Sequence, residues 1–176
     1  MKKEVNGIII ECVQGDIAGQ KDFLAVVNAA NAQLMPGAGV AGALHRAAGP
    51  GLAQECKPMA PIKPGEAVIS SGHNLPNKFV IHCLGPVYGR DMPGEELLAS
   101  CYQRALELSE ENNIDSIAFP AISTGIFGYP MQEAALVAFN TVIKSSQQLH
   151  KVKRIRFVLF KEEYVRIHER VLCGLI

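Results

Sequence analysis

Apolar residues recur along this chain with two different spacings, and the switches between them outline alternating strands and helices. Gly7 to Val13 is an apolar, β-branched run closed by Gly15-Asp16-Ile17, and it reads as a buried strand. Leu24-Ala25-Val26-Val27 is a second short strand, with two amides, Asn28 and Asn31, just beyond it. Val40 to Ala48 reads as a helix with Gly49-Pro50 as its stop, and Pro50 to Lys57 carries one more short helix. The connector Pro58-Met59-Ala60-Pro61-Ile62-Lys63-Pro64 is too rich in proline for regular structure and is the segment expected to flex.

Gly65 to Ser70 and Lys78 to Leu84 are strands joined by the turn-rich Ser71 to Asn77, close enough to form a hairpin, so the sheet is mixed. Glu95 to Asn113 carries a helical stripe of Leu97, Leu98, Cys101, Ala105 and Leu108. A strand at Ser116 to Pro120, a helix at Pro130 to Ser146, a strand at Arg154 to Phe160 and a helix at Glu162 to Leu172 complete the chain. Strands alternating with helices predict an α/β protein, a three-layer α/β/α sandwich with a mixed sheet. Without an internal repeat or a break in composition, residues 1–176 are expected to form one domain.

Charge narrows the function. Lys+Arg and Asp+Glu are both 17 and the pI is near 7.0, so no global field favours a polyanion, and a bound anion must be held by local dipoles. Hydrophobic residues make up 48 %, yet no run is long enough to span a bilayer, and no membrane partner is expected. The N-terminal MKKEVNGIIIECVQGD is expected to be a first strand and not a signal peptide, because Glu11 breaks its apolar run and no small-residue cleavage site follows. Cys12, Cys56, Cys83, Cys101 and Cys173 are odd in number and widely spaced, which predicts reduced thiols in a cytoplasm and no structural zinc.

Two stretches concentrate the chemistry. Gly37-Ala38-Gly39 opens into the helix at Val40, and Ser123-Thr124-Gly125-Ile126-Phe127-Gly128 lies between a strand and the helix after Pro130. Each is a turn whose free backbone N–H groups suit phosphate. Asp16 at a strand end reads either as a cap or as an acceptor for a base amino group. His82, inside a strand, reads as a buried histidine with one backbone partner.

The segments Val27-Asn28-Ala29-Ala30-Asn31, HRAAGP at 45–50, IHCLGP at 81–86 and FPAISTGIFGYP at 119–130 resemble, in order, those of the macro domain family. The resemblance implies a roughly six-stranded mixed sheet between helices and a cleft that binds ADP-ribose across the strand ends. It implies that Asp16 and Ile17 address the adenine, that Phe160 packs on it, and that Asn28 belongs with the binding residues. The backbones of Ser123, Thr124, Gly125, Ile126 and Phe127 and that of Val40 would hold the two phosphates. Gly37 and Gly39 would line the distal ribose and Asn31 would hydrogen-bond it, these three forming the catalytic set, with no metal and no cofactor. Many hydrolases of the family read GGGVDG in the central loop; here the aspartate position is Ala41 and the middle glycine is Ala38.

Two functions compete on this reading. As an enzyme, the protein would hydrolyse ADP-ribosyl esters, either mono-ADP-ribose on acidic side chains or O-acetyl-ADP-ribose, by positioning water. As a reader module it would bind ADP-ribose, free or on protein, without chemistry. The hydrolase is favoured, because the rest of the loop matches active relatives. Nucleic acid is expected as a partner only through an ADP-ribosylated end, and the chain is expected to be a monomer. A nucleotide-dependent dehydrogenase is disfavoured, since no G-x-G-x-x-G follows the first strand.

Overall fold

The computed structural model describes all residues from Met1 to Ile176. Its strands are β1 (Lys2–Val5), β2 (Ile8–Gln14), β3 (Ala25–Ala29), β4 (Ala67–Ser71), β5 (Phe79–Cys83), β6 (Ser116–Phe119) and β7 (Arg154–Leu159). Its helices are α1 (Gly39–Ala48), α2 (Gly51–Cys56), α3 (Gly94–Glu111), α4 (Met131–Ser146) and α5 (Glu162–Leu175). The strands form one sheet in the order β1-β2-β7-β6-β3-β5-β4. The central strands run parallel, and only the edge pairs β1–β2 and β4–β5 are antiparallel.

The sheet has seven strands where about six were expected, and the extra one is β1. It folds back on β2 through Asn6 and Gly7, whose φ values of 51° and 78° are those of a tight primed hairpin turn. The predicted Pro-rich connector also holds a short piece of regular structure, a 3-10 turn at Lys57–Met59 that continues α2. A proline near the start of a helical turn gives up an N–H that has no partner there in any case.

Alternation along each strand divides the core. Ala25 and Val27 join Ile81, Phe119 and Phe157 on the face covered by α3, α4 and α5. Tyr102, Phe119, Phe139 and Phe157 form a contiguous aromatic layer there, with ring centroids 4.6–6.1 Å apart. Val26, Val80, Ala118 and Val158 face the other way, toward Leu44, Ala48, Leu52 and Cys56 of α1 and α2. Small residues on this second face let α1 lie close to the sheet.

The ladder between β3 and β6 consists of Ala25↔Ile117 and Val26↔Ala118. Beyond these pairs the strands part, and the chain leaving β3 goes one way into α1 while the chain leaving β6 goes the other. The opening lies at the carboxyl edge of a parallel sheet, where open α/β folds take their ligands.

Candidate functional site

One cleft of about 920 Å³ runs along that edge, within the size range of small-molecule sites. Strand order sets out its parts: Asp16 follows β2, Phe160 follows β7, the Ser123 loop follows β6 and Asn31 follows β3. Three strand spacings separate β2 from β3, so the cleft spans ~14 Å across the sheet.

At the β2 end, Asp16 is a cap that also faces the cleft. It caps the 3-10 turn Ile17–Gly19, its Oδ1 accepting from the Ala18 N–H at 2.9 Å, and it lines the cleft. The Ile17 N–H makes no hydrogen bond within the chain. Behind the turn, Gln20 donates to the Asp16 carbonyl at 2.7 Å and accepts from Arg156 at 2.9 Å. Arg156 in turn pairs with Glu11 and Asp22, and its guanidinium lies 4.2 Å from the Phe23 ring centroid. The hydrogen bonds from Arg156 and Arg154 pull the Asp22 carboxyl down to about 2. Phe160 is largely exposed on the cleft rim, with Tyr164 of α5 beside it.

The centre of the cleft is lined by backbone. In the loop after β6, Tyr129 donates to the Ser123 carbonyl and Gly128 to that of Gly125, closing a compact turn. The N–H groups of Ser123, Gly125, Ile126 and Phe127 have no partner within the chain. Ser123 has φ of 68°, unusual for a side chain with a Cβ, and its buried hydroxyl is also without a partner. A Cβ at Gly85 would run into this hydroxyl, so glycine there lets the loop after β5 pass beneath the Ser123 turn.

The first turn of α1 offers the matching set, the unbonded N–H groups of Gly39, Val40 and Ala41, at the positive end of the helix dipole. Gly39 has φ of 58°, which explains why glycine stands there. Ala38 has φ of −84°, so alanine at this position carries no backbone strain.

At the β3 end, Asn31 is clamped to its own loop. Its Nδ2 donates to the Met35 carbonyl at 2.8 Å and its Oδ1 accepts from the Met35 N–H at 3.0 Å. An amide has two N–H groups and two lone pairs, so one of each remains for a ligand. A Cβ on Gly37 would stand 3.2 Å from the Asn31 Nδ2 and 3.8 Å from the Ala41 Cβ, so these three residues share one corner of the cleft.

Asp16, Ile17, Asn31, Gly37, Gly39, Val40, Ser123, Thr124, Gly125, Ile126, Phe127 and Phe160 therefore all line the same cleft. Asn28 does not. It is buried below, in β3, where the ladder places it opposite His82 of β5. Its Nδ2 donates to the His82 Nδ1 at 3.1 Å; the His82 Nε2–H then donates to the Ser70 Oγ at 2.9 Å, and the Cys56 Sγ is 3.4 Å away. His82 is buried as expected, with side-chain partners in place of the expected backbone one. Burial depresses the His82 pKa to about 4 and lowers that of His45 as well, so both are neutral near pH 7.

The sequence reading did not single out Gln14, Gly85, Arg46 or Tyr164, which also line the cleft. Gly85 and Arg46 stand in the IHCLGP and HRAAGP segments and could have been noticed there; Gln14 and Tyr164 follow no motif. Asp16 and Arg46 are the charged residues of the lining, and no group of three or more His, Cys, Asp or Glu is placed to hold a metal. No helix is long and apolar enough to cross a membrane.

Fold and cleft together define an α/β/α sandwich with an extended groove at the carboxyl edge of its sheet, its centre built from backbone donors. A family model for the macro domain matches residues 27–138, and the chain belongs to that family. It is 44 % identical over 169 residues to an O-acetyl-ADP-ribose deacetylase of Klebsiella pneumoniae, covering 93 % of this chain and 96 % of the relative. It is 46 % identical over 149 residues to the human ADP-ribose glycohydrolase MACROD2, covering 83 % of this chain and 35 % of that longer protein. A solved structure of the Oceanobacillus iheyensis macrodomain with ADP superposes with a TM-score of 0.94 at 42 % identity, covering 99 % of this chain and 95 % of the other.

Proposed function

We propose that this protein binds ADP-ribose and hydrolyses ADP-ribosyl esters. The observation that carries the reading is the pair of unbonded N–H sets, Ser123 to Phe127 and Gly39 to Ala41, lining one cleft whose centre has no cationic side chain. Fixed dipoles of this kind suit a diphosphate, and their orientation does not depend on side-chain entropy. Adenine would meet Asp16, Ile17 and Phe160, and the distal ribose would meet Asn31, Gly37 and Gly39. The names of the deacetylase and glycohydrolase relatives support the chemistry.

The reaction would proceed by positioning. The neutral, buried His45 and His82 stand outside the lining, and Ala41 leaves the start of α1 without a carboxylate. Water would attack the ester while the spare Asn31 N–H and lone pair hold the ribose and a substrate phosphate orients the nucleophile. No metal or cofactor enters this scheme. The absence of the aspartate favours one second reading, a module that binds ADP-ribose and leaves it intact. Four of the five free cysteines are buried, which accords with the proposed cytoplasmic location; a monomer is the proposed state.

Single-turnover incubation with aspartate/glutamate-linked mono-ADP-ribosylated protein, alongside O-acetyl-ADP-ribose, separates the two. Release of ADP-ribose from either supports the hydrolase. Tight binding with no release from either overturns it in favour of the binding module.

A further inference from the structure

We propose that Arg46 makes this cleft selective for ADP-ribosyl groups carried on acidic peptide segments. The inference rests on the ADP-ribose reading of the cleft and adds the chemistry of what lies beyond the distal ribose. Arg46 is exposed, lines the cleft and takes part in none of the ion pairs of the chain. Arg90, Arg104, Arg154, Arg156 and Arg166 each have a carboxylate partner.

The helix directs this side chain. A residue on α1 leans back toward the helix N-terminus, over the turn before it. The Arg46 Nη1 accordingly lies 3.0 Å from where a Cβ on Gly42 would stand, and that same point is pressed against the Gly37 carbonyl. Gly37 adjoins Asn31 and Ala41, so the guanidinium reaches the Gly37 corner of the cleft. With alanine at position 41, no carboxylate of this corner neutralises it.

A group at this end meets whatever the distal ribose is attached to. The ester consumes the carboxylate that carries the ADP-ribose, so the anion available to Arg46 is a neighbouring Asp or Glu of the acceptor. A guanidinium presents a planar fork of donors that matches a carboxylate. Acetate esters have no such neighbour, which separates the two substrate classes at a single side chain.

The test uses S-glycosidic ADP-ribosyl peptides, stable to hydrolysis, whose flanking residues are either Glu or Gln. By calorimetry the wild-type protein is expected to prefer the Glu-flanked peptide by about two- to five-fold at low salt, the scale of an exposed ion pair. The preference should shrink at high salt, vanish in Arg46→Gln and invert in Arg46→Glu. Equal affinity for both peptides in the wild type, or an undiminished preference in Arg46→Gln, overturns the proposal. Turnover of O-acetyl-ADP-ribose by the wild type, run in parallel, reports on the hydrolase reading separately, since the affinity ratio requires no catalysis.

Discussion

The two ends of the cleft are built on different principles. At the β2 end, Asp16 rests on a relay of Gln20, Arg156, Glu11 and Asp22, braced by the cation–π contacts of Arg154 and Arg156 with Phe23. At the β3 end, the loop from Asn31 to Gly37 is tied by the Met35 clamp and has an exposed methionine at its bend. The first end is braced by charged side chains from three segments; the second has no such brace and is held by the Met35 clamp, by backbone bonds from Leu34 to the Asn31 carbonyl and from Ile62 to the Ala32 carbonyl, and by the buried Leu34. The densely braced end suits constant recognition of a base. The end without a charged brace is where the proposed ester chemistry would take place.

The contrast is most sharply tested by Asn31→Ala. It removes the proposed ribose contact and releases the Met35 clamp together, so kcat/KM for an ester substrate should fall by about 100-fold or more, the scale of ångström-level misplacement. AMP, which the proposed pose keeps at the Asp16 end and centre, should bind as before. A parallel loss of AMP affinity would show that the two ends are not independent.

Gly85→Ala probes the centre that both ends share. Its Cβ collides with the Ser123 hydroxyl, and the Ser123 turn must move or the core must strain, a cost of about 1–3 kcal/mol. Calorimetry with ADP-ribose and thermal melts together should register it, and unchanged values in both would mean that the turn has slack.

Asp16→Ala and Asp16→Asn separate the cap from the proposed contact with the base. Asparagine keeps a cap at the 3-10 turn, but its side chain lacks the charged acceptor. ADP-ribose affinity should drop by about 1–3 kcal/mol in Asp16→Ala and by less in Asp16→Asn. Equal affinity for wild type and Asp16→Ala would reduce Asp16 to a cap.

The smallest effect is expected from acid. Asp22 titrates near 2 when folded, below its ordinary 3.8, so the folded state binds this proton less readily than the unfolded chain. Its stabilising contribution is then fully present above pH ~4 and is lost as pH falls toward ~2. Because this carboxylate is largely solvent-exposed, the slope will be shallow. Urea midpoints across that range should fall less steeply in Arg156→Met than in wild type; identical slopes would remove Asp22 from the brace.

Much of this was present in the chain before folding. Spacing of apolar residues marked the helices and most strands, because a helix or strand must bury one face whatever surrounds it. Glycines and hydroxyls marked both backbone loops, since turns with free N–H groups need those residues. The Asn6-Gly7 pair is a hairpin signal that the apolar pattern passes over, because the stretch before it is too polar to stand out as a strand.

What the tertiary structure decided is where side chains point once elements meet. Asn28 and Asn31 lie three positions apart, yet the β3–β5 register buries the first against His82 while the turn after β3 releases the second into the cleft. The Asp16 brace joins residues from β2, the turn after it and β7, more than a hundred positions apart in the chain. Arg46 gains its place only because Gly42 lets α1 lie against the Gly37 carbonyl. Sequence determines which faces must be buried; only the packed sheet determines which polar groups are left facing the groove.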